Sequence, residues 1–348
     1  RSGYFVLRRR RADLQPLSEP EPGRALDPAQ YVGIHDRVSD YVAKCDRHPL
    51  VANLAAAYGS PEMYPSEALK NAATRALRQH PQLLVSAVDS PRDSPLRAVL
   101  ARRALEAGMQ LAAEDIVVTH GCIEALNIAL RAVAQPGDTI AVESPTYYGL
   151  LQILESLGLR ALEIPTSPST GISIEALDLA FQTHDHIKAV VVMPNFHNPL
   201  GSVMPDEEKA RLVALCERQQ VALIEDDTYG ALGHDDVPRK AAKAWDTGGN
   251  VIYCASLRKT LAPGLRLGWM TGGRWQARIQ MLKYAQSRSN EALAQMSVAQ
   301  FMASSAYDRH LVRLRRMLNA QREQMAEAIA KYFPAGTRLN VPGGSMLL

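Results

Sequence analysis

Short apolar, β-branched runs alternate with amphipathic stretches through the middle of this chain, and that alternation restricts the fold more than any other feature. Strand-like runs centre near Ile116, Ile140, Leu162, Val191, Leu223, Ile252 and Leu267. Between several of them the periodicity predicts helices over 123–133, 148–157 and 206–219. The last carries apolar Leu212, Val213 and Leu215 behind an acidic first turn, which suits the positive end of a helix dipole. A strand apolar on both faces needs cover on both, and helices between successive strands supply it. The expected fold is therefore α/β, a mostly parallel sheet with helices on both faces. Beyond Gly272-Gly273 the pattern turns helical over 275–287, 292–305 and 310–332, which predicts a connecting helix and the start of a smaller α+β domain.

Several strand ends carry residues that can do chemistry. Ser256-Leu257-Arg258-Lys259-Thr260-Leu261-Ala262-Pro263-Gly264-Leu265-Arg266 follows the apolar run Val251-Ile252-Tyr253-Cys254-Ala255, so Lys259 sits where a buried strand leaves the sheet. A lysine there can hold a carbonyl cofactor, while Ser256 and Arg266 can converge on a dianionic phosphate. Asn198-Pro199-Leu200-Gly201 follows Ala189 to Met193, and Glu225-Asp226-Asp227-Thr228-Tyr229 follows Val221 to Ile224. Carboxyl ends of parallel strands are where open α/β sheets place their ligands. Upstream, Ile116 to Thr119 leads through His120-Gly121 into Cys122-Ile123-Glu124, a strand, a glycine turn and a helix start whose free amides suit phosphate. Tyr147 follows the strand-like Thr139 to Val142 through Glu143-Ser144-Pro145-Thr146.

Taken singly, each of these has an ordinary reading. Asp226 alone is a turn or cap residue, Asn198-Pro199 a turn, Tyr147 a half-buried core aromatic and Cys122 a small buried hydrophobe. Their conjunction in one order on strand ends carries the argument. A competing pattern, S-x-x-K at Ser256 to Lys259, would make Ser256 a nucleophile. That class also needs S-D-N and K-T-G elements, and neither occurs.

The whole arrangement resembles the fold-type I pyridoxal-phosphate enzymes, the aminotransferase superfamily, over roughly residues 50 to 348. The resemblance implies that Lys259 forms the internal aldimine with pyridoxal 5'-phosphate and moves protons in any catalysis. Asp226 then keeps the pyridine nitrogen protonated, and Asn198 and Tyr229 hold the phenolic oxygen. Gly121, Cys122 and Ile123 with Ser256 and Arg266 bind the phosphate, and Tyr147 stacks on the ring. Two departures stand out. The aromatic residue that relatives place before a P-x-G-x-x-x-L-R element is missing from Val88-Asp89-Ser90-Pro91-Arg92-Asp93, and the small or hydroxylic residue before the lysine is Arg258. The family's carboxylate-binding arginine is expected beyond Leu348; Arg313, Arg315, Arg316 and Arg338 do not match it.

The ends add a separate expectation. Arg1-Ser2-Gly3-Tyr4-Phe5-Val6, followed by Arg8 to Arg11 and a proline- and acid-rich linker, resembles the last wing strand of a GntR-family winged helix-turn-helix domain. Joined to an aminotransferase-like domain, this resembles the MocR subfamily of transcriptional regulators. The implied organisation is the end of a winged-helix domain and linker over 1–50, a large cofactor-binding domain over 51–275, and a connecting helix and the start of a small C-terminal domain over 276–348. The implied partners are a second copy in a homodimer, DNA through an amino-terminal domain outside this chain, and an amino acid or other amine. The alternative is a working aminotransferase that exchanges amine for 2-oxo acid. Composition sets the remaining bounds. A net charge of +3 across 348 residues does not by itself imply nucleic-acid binding. Cys45, Cys122, Cys216 and Cys254 form no C-x-x-C pair, which favours reduced thiols in a cytoplasm over a zinc site. No apolar run is long enough to predict a membrane span.

Overall fold

The computed structural model describes residues 29, 33–47, 57–85, 94–235, 237–340 and 342–348. The wing-like opening, the arginine run, the proline-rich linker and the segment 88–93 lie outside the described residues.

The apolar runs form β1 (Val117–Thr119), β2 (Thr139–Ser144), β3 (Arg160–Ser167), β4 (Gly171–Ile172), β5 (Ile187–Val192), β6 (Ala222–Asp226), β7 (Val251–Ser256) and β8 (Gly268–Thr271). They make one sheet in the order β1-β8-β7-β6-β5-β2-β3-β4. Strands β3, β2, β5, β6 and β7 run parallel. Strand β8 is antiparallel to both β1 and β7, and β4 turns back on β3. The helices are α1 (Ile34–Arg47), α2 (Ser66–Gln79), α3 (Pro95–Ala104), α4 (Cys122–Val133), α5 (Tyr148–Ser156), α6 (Ile174–Thr183), α7 (Asp206–Arg218), α8 (Gln276–Gln286), α9 (Ala292–Met302) and α10 (Ser305–Tyr332).

Alternation along each strand sorts the core into layers. Ile140, Val142, Ile224, Ile252 and Cys254 pack with Leu126 and Leu130 of α4, Leu154 of α5 and Ile279 of α8. Their neighbours Ala141, Val190, Leu223 and Val251 pack with Leu177 of α6 and Leu212 and Leu215 of α7. Tyr253 and Trp269 extend that second face toward Leu96 and Leu100 of α3 and Val298 of α9. Leu126 and Leu154 are about as buried as side chains become, and each such leucine contributes about 1.5–3 kcal/mol. Because the central strands are parallel, the carboxyl ends of β2, β6 and β7 emerge on one rim, at Ser144, Asp226 and Ser256.

One close approach brings β1 and α4 to that rim. A β-carbon on Gly268 would lie 2.6 Å from Ala255 O and 2.7 Å from Gly121 Cα. Only a glycine there lets the turn before α4 press against the strand pair that leads to and from Lys259.

Candidate functional site

The rim encloses a cavity of about 670 Å³. Gly121, Cys122, Ile123, Tyr147, Asn198, Asp226, Tyr229, Ser256, Lys259 and Arg266 all line it, so every residue singled out in the sequence meets there.

Gly121 opens α4 with φ +88°, a conformation that favours glycine, and Thr119 Oγ1 donates to its carbonyl at 2.9 Å. The first amides of α4 have no acceptor within the helix, and they stand at the cavity with the positive end of the helix dipole. Across from them, Arg266 takes a left-handed conformation, φ 48° and ψ 42°, just before β8. A side chain with a β-carbon pays about 1 kcal/mol for that backbone. It places the guanidinium on the cavity wall with Ser256.

Asp226 ends β6 and is buried. Cys122 Sγ donates to its Oδ1 at 3.2 Å, Thr228 Oγ1 at 2.6 Å and the Thr228 backbone N–H at 3.0 Å. All three donors converge on Oδ1, so among the described residues Oδ2 keeps its capacity for a further partner. Burial pushes the Asp226 carboxyl above its ordinary range, which makes a cationic partner favourable. Burial also pushes the Cys122 thiol far up, so it is a neutral donor rather than a nucleophile.

Lys259 Nζ donates to Ala57 O at 2.6 Å and lies 4.3 Å from the Tyr58 ring centroid and 5.9 Å from that of Tyr229. Desolvation, and secondly the Arg258 guanidinium, lower its pKa to about 8. That keeps a substantial fraction of the amine neutral near physiological pH. Arg258 is neither in open solvent nor in an ion pair among the described residues: its Cζ stacks 4.7 Å from the Tyr58 centroid. Burial pushes the Tyr147 phenol to about 12 and that of Tyr229 further up, so both remain hydrogen-bond donors. A β-carbon on Gly149 would fall 2.4 Å from the Tyr147 ring, so Gly149 makes the space that ring occupies.

Asn198 precedes Pro199 across a cis peptide. Its neighbour His197 accepts from the Leu200 N–H on Nδ1 at 3.3 Å, while Nε2 stands 3.2 Å from Glu143 Oε2. Glu143 also accepts from the Met193 N–H at 2.7 Å. Both side chains are buried, and the pair ties the loop carrying Tyr147 to the loop carrying Asn198.

Sequence reasoning missed Tyr58, His120, Thr228 and the inner face of α1, where Ile34, Val38 and Tyr41 border the cavity. Thr228 had a local signal, since a hydroxyl two residues after an aspartate folds back on the carboxylate. Tyr58 had none, because it reaches the lysine from the far end of the chain.

Residues 57–343 match the family Aminotransferase class I and II, and the chain belongs to that family. Within it, the chain is 35% identical over 349 residues to the uncharacterized HTH-type transcriptional regulator YjiR of Escherichia coli (strain K12), covering 100% of this chain and 73% of that protein. It is 34% identical to a second such regulator of the same organism, YdcR, over 97% of this chain and 71% of the relative. A crystal structure of Pyrococcus horikoshii kynurenine aminotransferase in complex with PMP superposes with a TM-score of 0.82 at 25% identity, over 89% of this chain and 77% of that one.

Proposed function

We propose that this chain is the pyridoxal-phosphate-binding, aminotransferase-like effector and dimerisation domain of a cytoplasmic GntR/MocR-type transcriptional regulator. The observation that carries the cofactor assignment is the convergence on one cavity of an amine, a buried carboxylate with one oxygen to spare, and a phosphate-type donor set. The residues fit the group. Lys259 would hold the cofactor's aldehyde carbon through its amine, and Asp226 would keep the pyridine nitrogen protonated. Asn198 and Tyr229 would donate to its phenolic oxygen, and Tyr147 would stack on its ring. The Gly121–Cys122–Ile123 amides, Ser256 and Arg266 would hold its phosphate. When bound, the cofactor supplies an electron sink for bond breaking at the alpha carbon of an amine. Lys259 Nζ is the group placed to take and return that carbon's proton.

The regulator reading draws on similarity along nearly the whole chain to proteins named as HTH-type regulators. In it, an amino acid or other amine bound at the Lys259 site would shift the domain between two arrangements, residues 1–50 would transmit the shift, and residues 276–348 would begin the smaller domain. The second reading, an aminotransferase working by ping-pong exchange, draws on the same retained Lys259, Asp226 and Tyr229.

The two readings separate in one experiment on the cofactor-loaded full-length protein. Operator DNA binding and 2-oxo acid production are measured with a panel of amino acids. The regulator reading expects an amine-dependent change in DNA affinity without sustained turnover. Steady turnover with no effect on DNA binding overturns it in favour of the enzyme.

A further inference from the structure

Arg258 is the one charged residue of the loop from Ser256 to Arg266 that the cofactor reading leaves without a task. Its backbone N–H donates to Ser256 Oγ at 3.1 Å, so residues 256–258 form one tight turn. Its side chain lines the same cavity as Ser256, Lys259 and Arg266. The Nε atom is shut off from solvent and has no hydrogen-bond partner among the described residues. No carboxylate among the described residues lies within ion-pair distance of the guanidinium. What it does have is the face of Tyr58, at 4.7 Å, and Lys259 Nζ occupies the same ring's field at 4.3 Å.

Two cations on one aromatic ring, beside a third at Arg266, are an unfavourable arrangement unless an anion enters. A half-desolvated guanidinium with a free donor edge recovers its lost hydration only from an acceptor. The ring quadrupole of Tyr58 offsets part of that cost and fixes the plane of the guanidinium.

Resting on the cofactor reading above, we propose that Arg258 is a phosphate-binding residue, which together with Ser256 and Arg266 clamps the cofactor's phosphate dianion, with Tyr58 as the spacer that keeps the clamp apart from the lysine amine. A dianion is better matched by two guanidinium groups than by one, and each planar fork can give it two parallel hydrogen bonds. The lowered pKa of Lys259, part of which comes from Arg258, is consistent with this placement.

The test compares equilibrium binding of pyridoxal 5'-phosphate and of pyridoxal, which lacks the phosphate, to the apo chain with Arg258, Arg258→Ser and Arg258→Lys. The expected result is that Arg258→Ser weakens pyridoxal 5'-phosphate by roughly tenfold to a hundredfold, the range of a lost charge-assisted hydrogen bond. Measured at a pH above the Lys259 titration, so that the amine is free in every protein, pyridoxal affinity is expected to stay unchanged, and Arg258→Lys to regain part of the loss. Equal weakening of both ligands, or of both variants, overturns the phosphate assignment. So does an unchanged pyridoxal 5'-phosphate affinity combined with weaker saturation by an amino acid than by its decarboxylated amine, which moves Arg258 to the ligand's carboxylate. If the unsubstituted chain binds neither compound, the cofactor reading itself fails, an outcome distinct from failure at Arg258 alone.

Discussion

Cys122 Sγ donates to Asp226 Oδ1 at 3.2 Å, joining the first residue of α4, proposed above as part of the phosphate cup, to the end of β6, whose carboxylate is proposed to partner the cofactor's ring. One thiol thus links the two elements proposed to hold opposite ends of the cofactor. Cys122→Ala removes that donor and leaves Thr228 to hold Oδ1 alone, while Cys122→Ser supplies a stronger donor of similar size. Cofactor titration is expected to show a loss of about tenfold at most for alanine and near-native affinity for serine. Equal affinities in all three proteins would show that the thiol positions nothing.

Asp226→Asn keeps the shape of the side chain and the Oδ1 contacts but removes the charge proposed to keep the cofactor's ring nitrogen protonated. Exchange of an amino acid's alpha hydrogen with deuterated solvent, followed by NMR, is expected to fall by about two orders of magnitude or more. Binding is expected to fall less. Exchange at the native rate would place the ring nitrogen elsewhere.

The pH dependence of cofactor capture follows from Lys259. Its pKa is lowered to about 8, first by desolvation and then by Arg258. Below that value the group is an ammonium and cannot attack an aldehyde; above it the free amine predominates. The initial rate of capture should therefore rise with pH and level off above about 8. In Arg258→Ser one cause of the depression is gone, so the inflection should move to higher pH. Tyr229, pushed well above its ordinary value by burial, does not titrate in this window. An inflection that stays in place in the variant would remove Arg258 from the lysine's electrostatics.

Gly268→Ala tests the backbone contact that seats the Gly121 turn, the proposed phosphate cup. The added β-carbon meets Ala255 O at 2.6 Å and Gly121 Cα at 2.7 Å, and backbone cannot swing aside as a side chain can. The expected cost is about 1–3 kcal/mol of stability, read from denaturant unfolding, with a further loss of cofactor affinity. A variant as stable as the parent would mean that β8 and the turn at Gly121 can separate freely.

Much of this architecture was legible because burial on both faces forces apolar, β-branched strands. The runs around Ile140, Val191, Leu223 and Ile252 became the parallel centre of the sheet. The direction of β8 was not legible, since periodicity reports which face a residue takes and not which way the chain runs. The two-residue β4 and helix α6, capped by Ser173 through its hydroxyl, also went unread, because Ser167 to Ser173 looks like an ordinary polar turn. In the site, residues at strand ends announced themselves through the strands before them. Tyr58 and the α1 face did not, since what makes them matter is proximity to Lys259 across most of the chain. The buried His197–Glu143 pair is likewise visible only once β2 and β5 lie side by side.

The most direct test of the account is to add pyridoxal 5'-phosphate to the purified chain, reduce with borohydride and locate the adduct by peptide mass spectrometry. The account predicts one stable pyridoxyl adduct, on Lys259, and none in Lys259→Ala. An adduct on another lysine, or no adduct in folded protein with Lys259 intact, would contradict it.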